Sequence, residues 1–162
     1  MAVVYAAIGS NIEPDKHLKL TVEKLSPPFG QLILSPVYES EPVGFSGDNF
    51  LNMVVGFASD SDVDTVARKL DEIESEILGL EKRQRFAPRV IDIDLLLYDG
   101  FSGEVQGEVL PHRDILSYAF ILRPLADIAS DLEHPTERKC YADLWRSFSG
   151  GPLLRDYHLS WA

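Results

Sequence analysis

The chain has 162 residues, 45% of them hydrophobic, and a formal net charge of −11. That length fits one domain spanning 1–162 with a sizeable core, and the acidic balance works against nucleic acid or anionic membranes as partners. The lone cysteine, Cys140, excludes an internal disulfide and a four-cysteine zinc site, no apolar run reaches membrane-spanning length, and a reducing, cytoplasmic setting is expected.

Residues 2–8 are apolar and read as a first strand rather than a signal segment, because no basic region precedes them. The strand ends at the turn cluster Gly9-Ser10-Asn11. Pro14 opens a helix, where its missing N–H costs nothing, and Leu18, Val22 and Leu25 carry the helical period until Ser26-Pro27-Pro28 stops it. Residues 31–38 form a second strand, weakened or held at an edge by Pro36. A loop with Pro42, Gly44 and Gly47 covers 39–49. Residues 50–58 form a third strand, with Leu51, Met53, Val55 and Phe57 on one face and Asn52, Val54 and Gly56 on the other.

Val63, Val66, Leu70, Ile73 and Ile77 then fall at spacings of three and four, an amphipathic helix with a Ser61–Asp64 capping box that ends at Gly79. Four of the 15 Lys and Arg residues follow at once: Lys82, Arg83, Arg85 and Arg89. The basic loop stops at Pro88 and runs into Val90-Ile91-Asp92-Ile93-Asp94-Leu95-Leu96-Leu97, a β-rich run ended by Asp99-Gly100. Alternation puts Ile91, Ile93, Leu95 and Leu97 on the core face and Val90, Asp92, Asp94 and Leu96 on the other. Residues 105–110 return as a hairpin partner. After Pro111-His112-Arg113, residues 115–128 read as a helix interrupted at Pro124. Tyr141, Leu144, Trp145 and Phe148 give a short last helix, and 153–161 can add an edge strand.

This order predicts an α+β sandwich, a mostly antiparallel sheet with helices packed on it, close to the ferredoxin-like β-α-β-β-α-β plan. Asp92 and Asp94 share a face, with Cα atoms roughly 6.5–7 Å apart. Two such carboxylates repel by up to about 4 kcal/mol if they close to 4 Å at an effective dielectric of 20. A hard divalent cation removes that cost, and Mg²⁺ typically takes one or two carboxylates plus phosphate oxygens. A solvated acid pair is the plain reading of Asp-x-Asp alone. The basic cluster beside it turns the reading toward a polyphosphate with its metal.

Four blocks in order resemble the 6-hydroxymethyl-7,8-dihydropterin pyrophosphokinase family of folate biosynthesis. They are Ala7-Ile8-Gly9-Ser10-Asn11; Tyr38-Glu39-Ser40-Glu41-Pro42-Val43-Gly44 with Phe50-Leu51-Asn52; Ala87-Pro88-Arg89-Val90-Ile91-Asp92-Ile93-Asp94-Leu95; and Pro111-His112-Arg113 through Phe120 and Pro124-Leu125. The resemblance implies a transferase that moves pyrophosphate from ATP, its co-substrate, to the pterin's hydroxymethyl group and releases AMP. It implies two Mg²⁺ ions held by Asp92 and Asp94, with Arg89 and Arg85 completing the catalytic set. It places ATP against His112, Arg89, Arg83 and Tyr118. It places the pterin against Ser40, Val43, Phe50, Asn52, Phe120 and the Asp92 side of the metal site. The partners are thus two small molecules, and a monomer is expected.

Three departures stand out. The family's Gly-Arg-x-Arg after the long helix is Gly79-Leu80-Glu81-Lys82-Arg83 here. Tyr118 stands where relatives often carry arginine, and it brings no positive charge at neutral pH. Phe86 replaces the usual loop tryptophan. Fewer cations face ATP, which predicts weaker ATP binding or slower chemistry. Two other readings stay open. One is another Mg²⁺-dependent kinase or nucleotidyl transferase on a related heterocycle. The other is a non-catalytic or altered-specificity pterin- or nucleotide-binding paralogue. The basic loop between helix and strand also suggests a lid over 80–87 that closes on ATP.

Overall fold

The computed structural model describes residues 1–80, 90–151 and 153–161. The first four strands and two helices are β1 (Ala2–Ser10), α1 (Pro14–Phe29), β2 (Ile33–Leu34), β3 (Val37–Ser40), β4 (Phe50–Ser59) and α2 (Val63–Leu80). Then come β5 (Asp92–Tyr98), β6 (Gly103–Val105), β7 (Glu108–Leu110), a 3-10 turn (Arg113–Ile115), α3 (Ala119–Ile128), α4 (Tyr141–Arg146) and β8 (Leu154–Tyr157). The main sheet runs β5-β1-β4-β3-β8, with β2 also on β4, and every pairing in it is antiparallel. This is the expected α+β sandwich on a ferredoxin-like plan, with β8 added at one edge.

The two faces of the sheet differ. Val4, Ala6 and Ile8 of β1 and Leu51, Met53, Val55 and Phe57 of β4 are buried under Leu18 and Leu25 of α1 and the apolar stripe Val66, Leu70, Ile73 and Ile77 of α2. The period-two pattern of both strands and the 3.6-residue pattern of α2 thus meet in one core. On the opposite face Tyr5, Val54, Leu96 and Leu97 pack against Ile121, Leu122 and Leu125 of α3 and Tyr141 of α4.

Several local readings need correction. α1 continues through Pro27 and Pro28 to Phe29. The carbonyls those prolines leave without an N–H belong to Glu23 and Lys24, at the surface end of the helix, and the Gly30 N–H closes the last turn on Ser26 O at 2.7 Å. Pro36 splits the second strand into β2 and β3 rather than only weakening it. Ser35 repairs the break: its N–H donates to Val54 O at 3.0 Å and its hydroxyl accepts the Val54 N–H at 2.8 Å. The α2 cap is Asp62, whose carboxylate accepts the Thr65 N–H at 2.8 Å, and not Ser61. α2 also runs one residue past Gly79.

β6 and β7 pair with each other rather than with β5, around Gln106 and Gly107 at φ 52° and 81°. Two successive positive φ values make the tight two-residue turn that suits a short hairpin. α3 runs unbroken past Pro124, and a separate 3-10 turn precedes it. Leu97 is on the other face from the one alternation assigns. The β1–β5 register shifts between Tyr5 and Ala6, so Leu95 pairs with Ala6, Leu97 pairs with Tyr5, and Leu96 is the extra residue. A bulge of this kind breaks alternation and sends both Leu96 and Leu97 under α3.

Candidate functional site

α3 and α4 cover only part of the second face of the sheet. The open part is the Ser10 end of β1, and the chain keeps that end clear through residue size. Along β1 this face carries Tyr5, Ala7 and Gly9. Tyr5 is buried among the helices, whereas Ala7 and Gly9 line a cavity of about 260 Å³. Gly9 pairs with Asn52 on one side and Asp92 on the other, so the three share one row across three strands. Two strand spacings put the Asp92 and Asn52 Cα atoms roughly 10 Å apart. Directly paired residues point the same way, so carboxylate and amide rise on either side of a bare backbone. A Cβ on Gly9 would meet Asn52 Oδ1 at 3.3 Å, a contact tight enough to push the amide aside.

Asn52 is buried and oriented. Its Nδ2 donates to Ser40 Oγ at 2.8 Å and lies 3.4 Å from Tyr38 O, both on neighbouring β3, which leaves Oδ1 toward Gly9. Val43, Phe45, Phe50, Tyr118, Phe120 and Ile121 supply the apolar walls of the cavity. Phe45 meets Phe50 edge-on at 6.1 Å, and Tyr118 stacks on Phe120 at 4.9 Å with 19° between planes. A flat heterocycle needs this combination of aromatic faces and a few placed polar groups.

Asp94 pairs with Ala7 in the next row. Both aspartates also line a second, polar cavity of about 290 Å³ between α2, β5 and the β6–β7 hairpin, together with Asp71, Glu74, Glu108 and His112. The acid pair therefore stands between an apolar and a polar cavity. Burial, then the charges of Asp92, Glu74, Asp114 and Glu108, push the Asp94 carboxyl up to about 7. Acids gathered this closely favour a cation beside them. Among the described residues no three His, Cys, Asp or Glu side chains are grouped so as to hold a metal ion. Two carboxylates on one strand are the hard oxygen donors that Mg²⁺ takes alongside waters and phosphate oxygens.

Two contacts hold the acid strand in place. Glu74 of α2 accepts the Ile93 N–H at 2.7 Å, between the two aspartates. Ser10 Oγ lies within hydrogen-bond distance of Val90 O, tying the end of β1 to the approach of β5. His112 is buried, and its N–H donates to Leu96 O at 3.0 Å. Its Nδ1 accepts the Asp114 N–H at 3.1 Å, so the ring proton sits on Nε2, which is left to donate to an anion in the polar cavity.

The structure thus brings Ser40, Val43, Phe50, Asn52, Asp92, Asp94, Tyr118 and Phe120 around one cavity and puts His112 beside the other. Arg83, Arg85 and Arg89, with Lys82, Phe86 and most of the expected lid, lie outside the described residues. Sequence reasoning missed Gly9 as a floor, Phe45 as a wall and Glu74 as a support. Only Glu74 carried a signal: it falls four residues after Leu70, an acid beside the buried stripe of α2.

Comparison with known proteins bears on this arrangement. Residues 5–130 match the family described as 7,8-dihydro-6-hydroxymethylpterin-pyrophosphokinase (HPPK). The 2-amino-4-hydroxy-6-hydroxymethyldihydropteridine pyrophosphokinase of Methylorubrum extorquens is 38% identical over 137 residues, 82% of this chain and 85% of that one. The enzyme of the same name from Aquifex aeolicus is 33% identical over 141 residues, 86% of this chain and 88% of that one. An HPPK-DHPS crystallised in complex with substrates shares the fold with a TM-score of 0.70 at 12% identity, over 90% of this chain and 43% of that longer one. Wild-type Plasmodium falciparum HPPK-DHPS also gives 0.70 at 12% identity, over 90% of this chain and 44% of that one.

Proposed function

The chain belongs to the 7,8-dihydro-6-hydroxymethylpterin-pyrophosphokinase family, and on that premise we propose that it transfers the terminal pyrophosphoryl group of ATP to 6-hydroxymethyl-7,8-dihydropterin in folate biosynthesis. The observation that carries the reading is the row Asp92–Gly9–Asn52. It sets an acid and a heterocycle-reading amide on one face, with nothing larger than hydrogen between them.

In this reading the pterin lies over Gly9 between Phe50 and Phe120. Asn52 and the backbone near Ser40 and Val43 read its polar edge. Its hydroxymethyl group points toward Asp92 and Asp94. ATP enters from the polar cavity, where His112 Nε2 donates to a phosphate oxygen. Asp92 and Asp94 hold Mg²⁺, two ions in this reading, which supply charge neutralisation on the phosphates. The hydroxymethyl oxygen bonds to the β-phosphorus as the bond from that phosphorus to the α-bridging oxygen breaks. AMP leaves with that oxygen, and the hydroxyl proton is released. Arg89, with Arg85 and Arg83, offsets the charge that moves through the transferred group. The protein's contribution is positioning and electrostatics, as in other phosphoryl transfers.

A product assay tests this. With MgATP and the pterin, AMP should form, and it should not form without the pterin. ADP would mean phosphoryl transfer, pyrophosphate would mean nucleotidyl transfer, and no turnover would mean a binding protein. Each of these sinks the reading.

A further inference from the structure

We propose that Tyr118 is a positioning residue for the pterin: its ring holds Phe120 in the orientation on which the heterocycle stacks, and it takes no part in holding ATP. The inference rests on reading the first cavity as the pterin's. Tyr118 lines that cavity together with Phe120, and it is not among the residues around the polar cavity that Glu74, Asp92, Asp94 and His112 share. The two rings lie 4.9 Å apart and nearly parallel.

The backbone fixes where Tyr118 points. Its N–H donates to Asp114 O at 3.1 Å, and its carbonyl accepts from Ile121 and Leu122 at 3.1 and 3.0 Å as the first of α3. It is therefore the N-cap residue of α3, held on both sides by backbone hydrogen bonds, and not part of a free loop. Phe120 is only half-buried and is the second residue of α3. Without a neighbour on its face, a ring there would sample other rotamers, and ordering it on binding weakens affinity. Tyr118 removes that freedom beforehand. The Tyr118 hydroxyl makes no hydrogen bond with any described residue, so the ring alone carries the effect.

This gives the departure from arginine at this position a chemical sense. A guanidinium is planar and also stacks on aromatic faces, while donating to phosphate. Tyrosine keeps the stacking and gives up the cation. The site then depends on other residues for ATP and keeps its aromatic wall.

The test is calorimetric titration of wild type, Tyr118→Phe and Tyr118→Leu with 6-hydroxymethylpterin and, separately, with a non-hydrolysable Mg–ATP analogue. Tyr118→Phe should stay within about twofold of wild type for both ligands. Tyr118→Leu should lose about 3- to 10-fold for the pterin, the range of one aromatic pair. Its analogue affinity should not change, which also shows that it is folded. A Tyr118→Leu protein with wild-type pterin affinity overturns this inference alone, as does a loss confined to the ATP analogue. A Tyr118→Phe protein as weak as Tyr118→Leu overturns the role of the ring. A wild type that binds the analogue but no pterin overturns the cavity assignment, and this inference with it.

Discussion

Replacing Asp94 by asparagine should stabilise the metal-free protein while abolishing turnover. In the fold, burial and the neighbouring acids raise the Asp94 carboxyl from 3.8 to about 7. A raised carboxyl binds its proton more tightly when folded than when unfolded. Folding stability therefore falls as pH rises from about 4 to about 7 and levels off above that. Three units at 1.36 kcal/mol each give about 4 kcal/mol, and relaxation of the acid cluster brings the expected cost to roughly 2–4 kcal/mol. Asparagine keeps the shape and drops the charge. In chelator at pH 8, Asp94→Asn should melt roughly 5–15 °C above wild type, and the two should converge near pH 4–5. Thermal denaturation across that pH range checks this. A variant less stable than wild type at pH 8, or a difference that does not vary with pH, would refute the electrostatic account of the acid pair.

Three further expectations follow from single contacts. Gly9→Val should leave the fold standing but raise KM for the pterin at least tenfold. A Cβ already meets Asn52 Oδ1 at 3.3 Å, and the branches would fill the floor; steady-state kinetics with each substrate varied decide it. Glu74→Ala leaves the Ile93 N–H without its acceptor, and denaturant unfolding should show a loss of about 1–3 kcal/mol together with a fall in kcat. Glu74→Gln keeps an acceptor and should recover most of that stability. Tyr38→Phe removes a hydroxyl that donates to Asp127 away from the cavity floor, so it should cost about 1 kcal/mol by denaturation and leave both KM values unchanged.

What the sequence made legible was what periodicity can carry. The alternation at Leu51, Met53, Val55 and Phe57 and the three-four spacing of α2 both end in the same core. The acid pair was readable because two charges on one face of an otherwise apolar strand conflict with burial. Where the reading failed, the deciding contact lies far along the chain. The bulge at Leu96 is set by register with β1 and leaves no trace in a run of three leucines. The prolines at 27 and 28 look like a stop, but they fall where exposed carbonyls can be solvated. The site behaves the same way. Asn52 and the aspartates are unusual residues for strands and draw notice. Gly9 looks like an ordinary strand end until its pairing with both Asn52 and Asp92 is known. Phe45 is one aromatic in a Gly- and Pro-containing loop, and only the folded loop brings it against Phe50.

The central claim is that one row of the sheet serves two ligands, with Gly9 as the floor between pterin and metal. A crystal structure with Mg²⁺, a non-hydrolysable ATP analogue and 6-hydroxymethylpterin tests it most directly. The account predicts the pterin ring over Gly9 with Asn52 on its polar edge, and Asp92 and Asp94 oxygens about 2.1 Å from Mg²⁺ that also touches phosphate. A pterin bound elsewhere, or aspartates turned away from a metal that the phosphates hold alone, would contradict it.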